Sequence, residues 1–434
     1  MPYAFRSSCV DQEQASSVFN VVSIVITVVA LCAYANCRFV RLPDTIGITA
    51  IALLISLVMV ALGAGIPAVS AWGRATVRTL DFPELIFHGL LGPLLFAGSL
   101  HLDIAALARS RWVILSLATI GVVLSTALIG FAFFFSARWL GVEIPLIDCL
   151  LFGALISPTD AIAVLGLLRK AGVRPSLLIK ITGEALFNDG TGVVAFLVLL
   201  SIARGAQPLD AGSIAILLAR QVAGGIVFGL AVGFLGSYLL RRVNSHVVET
   251  LITLAMPTGG YAAAEALGVS APIAAVVMGL VIGSDGRGAA LADPARLRVF
   301  AFWELADDLL NLLLFGLIGL ELMALFVPAH QFIGLTLISI PLVLVARWLS
   351  VGVPIALLRH FERFEPHTVK LLTWAGLRGA LSVAMALSLP ASPFRELIVS
   401  ATYAVAVFSI LVQATTVEPL ARRWAGAVSR STAA

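Results

Sequence analysis

The sequence has little charge: Asp, Glu, Lys and Arg together make up 12% of its 434 residues, against about a quarter in an average soluble chain. It also has no long polar insert, because apolar runs recur from Phe19 to Trp424. Hydrophobic residues make up 60% of the chain, and the mean hydropathy is +1.04. These values exclude an ordinary soluble protein and predict one polytopic membrane domain.

Cysteine is also scarce, and the four cysteines show no spacing typical of a metal site or a disulfide framework. The 28 Lys and Arg residues are scattered rather than gathered into a basic stripe, which argues against a nucleic-acid partner. Residues 1–17 lack the pattern of a cleaved signal peptide, so we expect the first membrane span to act as the insertion signal.

Apolar segments dominate the rest of the chain, and a spanning helix needs about 20 such residues. Thirteen candidate spans lie near residues 18–36, 45–65, 83–100, 112–136, 146–168, 178–203, 213–240, 247–267, 270–284, 300–326, 331–358, 368–390 and 396–420. Basic residues are concentrated after the odd-numbered spans, and cytoplasmic loops carry the excess of Lys and Arg. The sequence therefore predicts an N-terminus outside and a C-terminus in the cytoplasm.

Thirteen spans permit an inverted repeat, in which spans 1–6 match spans 8–13 in opposite orientation. This offset matches span 5 with span 12, although the two halves show no convincing sequence identity. Span 5 is interrupted at 157–160 by Ser-Pro-Thr-Asp, and span 12 at 376–379 by Gly-Leu-Arg-Gly. Proline removes a backbone donor, and non-helical backbone in a bilayer needs protein or water to cover it. Two interrupted helices in matching positions predict a transport site.

Ionisable residues inside the spans indicate where that site lies, since each costs roughly 2.5 to 3.5 kcal/mol to insert. Counted at about 1.5 Å per helical residue, Asp160, Asp189 and Arg378 lie at one depth, about 12 to 14 Å from the cytoplasmic boundary. Structural salt bridges between helices are the alternative explanation. Two carboxylates at one depth beside a helix break favour a functional site.

Span 6 places Glu184 and Asn188 on one helical face and Asp189 about 100° further round. We predict that Glu184 forms a buried ion pair with Arg378, which leaves Asp189 without a permanent countercharge. Such a carboxylate can hold a proton or a small cation, but not both. Exclusive occupancy is the chemistry of an antiporter.

Neutral oxygen donors accompany the two aspartates. Thr159 and Asn188 can supply the oxygen ligands that hard cations prefer, so we predict a site for a small cation at Asp160, Asp189 and Thr159, which the resemblance described below makes an Na⁺ site. Alternatively, these two side chains only satisfy backbone groups freed by the proline. Arg347 also lies inside a span. The sequence around it does not identify an ion-pair partner, and we interpret Arg347 as structural.

A second polar group precedes the apolar part of span 10. Glu304, Asp308 and Asn311 share one helical face, with Asp307 beside them. The favoured interpretation is a solvated helix start at the cytoplasmic surface, and the alternative is a negative funnel that attracts cations.

Three motifs together resemble a known family: Thr159-Asp160 in a broken helix, the run Gly-Glu-Ala-Leu-Phe-Asn-Asp-Gly at 183–190, and Gly-Leu-Arg-Gly-Ala at 376–380. They are similar to those of bacterial NhaP-type sodium/proton antiporters in the monovalent cation:proton antiporter-1 family. The resemblance implies an all-α polytopic fold of the NhaA/NhaP antiporter type, with inverted repeats and two broken crossing helices. It also implies a homodimer, with a dimerisation part (about 18–100 and 213–326) and a mobile core (about 112–203 and 331–420).

The same resemblance implies that Asp189 exchanges proton and cation, that Asp160 helps to bind the ion, and that Glu184 pairs with Arg378. Asn188 accompanies electroneutral exchange in that family. Three alanines depart from residues common there, which bears on cation choice: Ala97, Ala161 and Ala185. The expected function is exchange of Na⁺ or Li⁺ for protons across a bacterial inner membrane, with a role in pH homeostasis and no cofactor.

Other functions stay open at this point. A K⁺/proton antiporter would have the same fold. A membrane enzyme such as a prenyltransferase could hold magnesium diphosphate at Asp307-Asp308, but Asn188-Asp189 lacks the downstream aspartates of a second such motif. A cation channel is disfavoured, because broken helices and a carboxylate that also binds protons suit alternating access better than a continuous pore.

Overall fold

The structure is a computed structural model that describes residues 20, 22–66, 81–160, 162–205, 211–243, 245–290, 294–322, 330–362 and 364–431. Residues 1–17 and Ala161, which the sequence predictions concern, lie outside the described residues. Helices account for most of the described part, which contains no β-strand and one isolated β-bridge. The all-helical prediction is confirmed for that part of the chain.

Sixteen described helical segments follow one another along the chain. They are α1 (Val22–Val40), α2 (Asp44–Gly65), α3 (Phe82–Leu100), α4 (Ile104–Arg109), α5 (Arg111–Trp139), α6 (Leu146–Ile156), α7 (Ile162–Lys170), α8 (Pro175–Ala203), α9 (Ala211–Leu240), α10 (246–266), α11 (Ala271–Ala290), α12 (Pro294–Glu321), α13 (His330–Leu358), α14 (Thr368–Ala375), α15 (Ala380–Leu387) and α16 (395–431).

Eight of these helices are long and apolar enough to cross a bilayer: α1, α2, α3, α5, α8, α9, α13 and α16. Shorter apolar helices occur at α6 and in the first part of α11. The polytopic prediction therefore holds, whereas the count of thirteen crossings stays a prediction.

Both predicted helix interruptions are present. The first separates α6 from α7 around Pro158, and the second separates α14 from α15 at residues 376–379. Proline cannot donate a backbone hydrogen bond and crowds the preceding turn, which favours the end of α6 before Pro158. The neighbouring α8, by contrast, runs without interruption for 29 residues.

Contacts divide the chain into two compact units. The first comprises Met1–Ile86 and Leu309–Val327. Within it, Thr49 Oγ1 donates a hydrogen bond to the Phe315 carbonyl at 3.0 Å, and Ser56 Oγ donates to the Gly319 carbonyl at 2.7 Å. Small residues and buried hydroxyls of this kind let apolar helices approach closely in a membrane.

The second unit comprises Phe87–Asp308 and Pro328–Ala434, and it contains every residue of the predicted exchange site. One part of its core is centred on Trp303, whose ring lies 4.8 Å from that of Phe96. The Trp303 indole also donates to Thr253 Oγ1 at 3.0 Å. The predicted division into a dimerisation part and a mobile core concerns assembly and movement, and it stays a prediction.

Candidate functional site

The two helix breaks lie against each other through their backbones. The Asp160 amide donates a hydrogen bond to the Leu377 carbonyl at 2.9 Å, and the two residues form an isolated antiparallel bridge. Each break leaves peptide groups without helical partners, and this bridge satisfies one donor and one acceptor. It also fixes the backbone of Asp160 beside the second break.

Arg378 connects the same two breaks through its side chain. Its Nη1 donates to the Pro158 carbonyl at 2.8 Å and to the Ser157 carbonyl, and the side chain is buried. Its Nη2 makes no hydrogen bond to a described residue. The guanidinium thus caps carbonyl groups that the first break leaves without amide donors.

Glu184 forms its ion pair with Arg347, so the predicted Glu184–Arg378 pair is wrong. Arg347 Nη1 and Nη2 donate to Glu184 Oε1 and Oε2, each at 2.8 Å. Arg347 Nη2 also reaches the Leu372 carbonyl at 3.3 Å. Both side chains are nearly inaccessible, and a bidentate geometry is what a buried carboxylate needs. Arg378 is unavailable for this pairing because the carbonyls of the first break hold it.

Sequence reasoning therefore missed the role of Arg347 as a partner. A usable signal was present, because an arginine inside a span needs a countercharge and Glu184 is a buried carboxylate on another span. Depth along the membrane could not decide between Arg347 and Arg378, since it gives no position around the bundle.

Asn188 joins this ion pair to the first break. Its Nδ2 donates to Glu184 Oε1 and to Thr159 Oγ1, both at 2.7 Å. Its Oδ1 accepts from the Thr159 amide at 3.2 Å. The side chain is fully buried. Asn188 thus satisfies a backbone group of the break.

Asp189 differs from the charged residues around it. Its side chain is partly exposed, and its carboxylate makes no hydrogen bond or salt bridge with the residues that the structure describes. Asp160, Glu184 and Arg378 act on it electrostatically. Asp160 is likewise partly exposed. The structure therefore brings together the two aspartates that the sequence predicted at one depth.

This arrangement can bind a cation. Two partly exposed carboxylates lie beside Thr159, whose hydroxyl oxygen accepts one hydrogen bond from Asn188 and has a second lone pair available. Hard cations prefer such oxygen ligands. A proton on either carboxylate would remove the charge that attracts the cation.

Comparison with known proteins identifies the relatives. Residues 25–423 match the family described as the transmembrane sodium/hydrogen exchangers. The chain belongs to this family. It is 44% identical to the Na⁺/H⁺ antiporter NhaP of Pseudomonas aeruginosa, over 93% of this chain and 96% of that protein. It is 35% identical to the low-affinity Na⁺/H⁺ antiporter NhaS1 of Synechocystis, over 77% of this chain and 64% of that protein.

A solved structure shares the fold of this exchanger. The sodium proton antiporter MjNhaP1 from Methanocaldococcus jannaschii matches with a TM-score of 0.72 at 18% identity, over 94% of this chain and 99% of that one. The predictions of an NhaP-type antiporter fold and of a sodium/proton antiporter rather than an enzyme are confirmed. Neither the family nor these relatives favour the K⁺, enzyme or channel alternatives.

The second polar group of the exchanger does not form one solvated face. Glu304 and Asp308 are exposed, whereas Asn311 is buried. A solvated helix start at Glu304 and Asp308 stays a prediction. Whether the two exposed carboxylates form a cation funnel stays a prediction.

Two of the alanines that depart from the family pattern are described, and both are buried: Ala97 and Ala185. Neither side chain carries a polar atom, so neither can serve as an ion ligand.

Proposed function

We propose that this exchanger moves one proton against one Na⁺ or Li⁺ ion, and that the two compete for Asp189. The observation that carries this proposal is the contrast between Asp189 and its charged neighbours. Glu184 is neutralised by Arg347 through two hydrogen bonds, and Arg378 is held by backbone carbonyls. The Asp189 carboxylate alone in this group has no such bond among the described residues.

Asp160 makes the competition effective. Two carboxylates that act on each other electrostatically resist being ionised together, because like charges repel. A cation between them or a proton on one of them relieves this repulsion. Each ligand therefore displaces the other, and neither needs to move the structural ion pair.

Asn188 supports a one-for-one exchange. It is a neutral amide, and both its nitrogen and its oxygen are engaged in the link between Glu184 and Thr159. Asn188 therefore adds no further carboxylate to Asp160 and Asp189, which share one cation or one proton in this proposal. One charge leaves for each charge that enters, and the exchange is electroneutral.

The ion site that we propose consists of Asp160, Asp189 and Thr159. Alternating access would open it to each side of a bacterial inner membrane in turn, in a homodimer whose core moves against a dimerisation part. The N-terminus would lie outside and the C-terminus in the cytoplasm, as the basic residues predict. Regulation of internal pH is the proposed role.

The decisive experiment measures dissipation of an imposed proton gradient in proteoliposomes after addition of Na⁺, Li⁺ or K⁺. We expect Na⁺ and Li⁺ to dissipate the gradient with the wild type, and Asp189→Asn to reduce the response to that of empty liposomes. Glu418→Gln is the matched control, because this carboxylate pairs with an exposed Arg422 far along α16. It should behave like the wild type.

The same assay distinguishes the ways in which the proposal can fail. Exchange by Asp189→Asn would overturn the role of Asp189. A response to K⁺ alone would agree with cation/proton antiport but contradict the proposed choice of Na⁺ or Li⁺. An imposed membrane potential that changes the rate of exchange would overturn electroneutrality.

A further inference from the structure

Two glycines, Gly376 and Gly379, flank Arg378 in the second break, and their backbone conformations do not explain them. Gly376 has φ −77° and ψ 73°, and Gly379 has φ −117° and ψ −159°. Neither φ is positive, so other residues could adopt both conformations. The reason for glycine must therefore lie in what surrounds the missing side chains.

At Gly379 the neighbouring group is the side chain of Asp160. A Cβ atom at position 379 would lie 2.8 Å from Oδ2 of Asp160, 3.1 Å from its Cβ and 3.4 Å from its Cγ. The carboxylate occupies the space that a side chain would fill. Because the Asp160 amide is bonded to the Leu377 carbonyl, its backbone is held, and a methyl group at position 379 would press directly on the Asp160 side chain.

At Gly376 the neighbouring group is the ion pair between Glu184 and Arg347. A Cβ atom there would lie 2.8 Å from Nε and 2.9 Å from Nη2 of Arg347. This guanidinium is bonded to both oxygens of Glu184 and cannot rotate away without breaking those bonds. The two glycines therefore make room for different groups, one for the ion site and one for the ion pair.

We propose that Gly379 is a positioning residue that sets cation specificity, because its missing side chain determines where the Asp160 carboxylate lies relative to Asp189. This inference rests on the proposed function and adds to it a residue that touches no ion. A methyl group at position 379 would have to move Oδ2 from 2.8 Å to at least 3.4 Å, a shift of about 0.6 Å. Alkali cations are distinguished by the spacing of their oxygen ligands, so this shift changes their relative affinities.

The test compares Gly379→Ala with Gly376→Ala in proteoliposomes. For each variant, the apparent KM for Li⁺, Na⁺ and K⁺ is measured beside kcat. Since a misplacement of 1 Å can cost about 100-fold, we expect Gly379→Ala to change the ratio of the Li⁺ and Na⁺ KM values by about threefold or more. Gly376→Ala should lower the melting temperature and leave this ratio as in the wild type.

Two outcomes overturn the inference while the proposed function stands. An unchanged KM ratio in Gly379→Ala would remove the role of Gly379 in specificity. An equal change of the ratio in Gly376→Ala would show that any substitution in the break alters the ion site. A wild type that exchanges no cation would instead overturn the proposed function, and the specificity role with it.

A melting experiment tests the contact itself without relying on transport. In purified protein, Gly379→Ala is introduced into the wild type and into Asp160→Ala, which lacks the carboxylate that the new methyl group would meet. We expect a clearly smaller fall in melting temperature in the Asp160→Ala background. An equal fall in both backgrounds would show that the backbone, and not Asp160, requires glycine there.

Discussion

Glu184 and Arg347 form an ion pair away from water, where desolvation is expensive and only good geometry compensates for it. Their two parallel hydrogen bonds of 2.8 Å supply that geometry, and Asn188 adds a third bond to the carboxylate. The pair therefore holds α8 against α13 and leaves Asp189, the proposed exchange residue, on a different face.

Removing one member of this pair should be costly. We expect Glu184→Gln or Arg347→Met alone to lower the free energy of unfolding by about 3 to 5 kcal/mol, because one charge is left buried without its partner. The double variant should recover part of this loss. Thermal or denaturant unfolding in detergent measures all three.

The combination of Glu184→Gln with Arg378→Met serves as the control. Arg378 is close enough to Glu184 to act on it electrostatically, but it makes its hydrogen bonds to carbonyls. We expect a clearly smaller coupling for this combination. Strictly additive losses for Glu184 and Arg347 would contradict the pairing.

The sequence was sufficient to single out the charged residues of the candidate site, but it assigned one ion pair wrongly. Asp160, Glu184, Asp189 and Arg378 are recognisable because charge inside an apolar run is costly. Pairing depends on where each helix lies around the bundle, which periodicity within one helix does not report. The carbonyls freed at Pro158 were a second demand for a donor, and Arg378 meets it.

The first helix break needs space for the ring of Pro158 as well as hydrogen bonds. In α8, Gly192 provides this space because it has no side chain. A Cβ atom on Gly192 would lie 2.9 Å from Cδ of Pro158 and closer still to its Cγ. The pyrrolidine ring of the first break thus packs directly on the backbone of α8. This contact lies one turn beyond Asp189 and fixes the height of the break beside it.

A pair of glycine substitutions tests this packing. We expect Gly192→Ala to lower the free energy of unfolding by about 1 to 3 kcal/mol, as overpacking does. Gly166→Ala in α7 is the control, because a Cβ atom at position 166 would meet nothing within 4 Å. It should be neutral or stabilise by up to about 1 kcal/mol through helix propensity. Equal effects of the two changes on the melting temperature would argue against the packing role.

Several helices were predictable to within a few residues, since a lipid-exposed segment must satisfy its backbone groups within the helix. The span predicted at 178–203 is α8, Pro175–Ala203, and the span predicted at 83–100 is α3, Phe82–Leu100. The π-helical turns inside several helices, such as Leu117–Gly121 in α5, were not predictable. They insert one residue without changing the apolar character of the run.

The segment between α13 and α14 contacts the first turns of α8. We assign this end of α8 to the cytoplasmic side. Lys180 and Glu362 form a salt bridge of 2.6 Å, and the Lys180 ammonium also lies 5.0 Å from the centre of the Phe364 ring. Ser176 Oγ donates to Glu365 Oε1 at 2.8 Å. The helix that carries Asp189 is thus joined to the segment that leads from Arg347 to the second break.

These connections span almost half of the sequence, so they help to hold distant parts of the site in register. Lys180 is nearly buried, with a side-chain exposure of 10%, and an ammonium left there without Glu362 would have no other described carboxylate bonded to it. Exposed pairs contribute only about 0 to 1 kcal/mol. The burial of Lys180 places its pair above that range and below the roughly 3 to 5 kcal/mol of a fully buried one.

Glu362→Gln should therefore lower the melting temperature more than Glu418→Gln, whose partner Arg422 is 62% exposed. Added salt should reduce the small contribution of the exposed pair and leave most of the Lys180 contribution, because screening acts weakly on buried charges. Melting curves of both variants at low and high salt measure this difference. If exchange by Glu362→Gln also slows while its KM for Na⁺ stays constant, the connection affects movement of α8 rather than ion binding. Equal melting temperatures for the two variants would mean that the segment is held in place by packing alone.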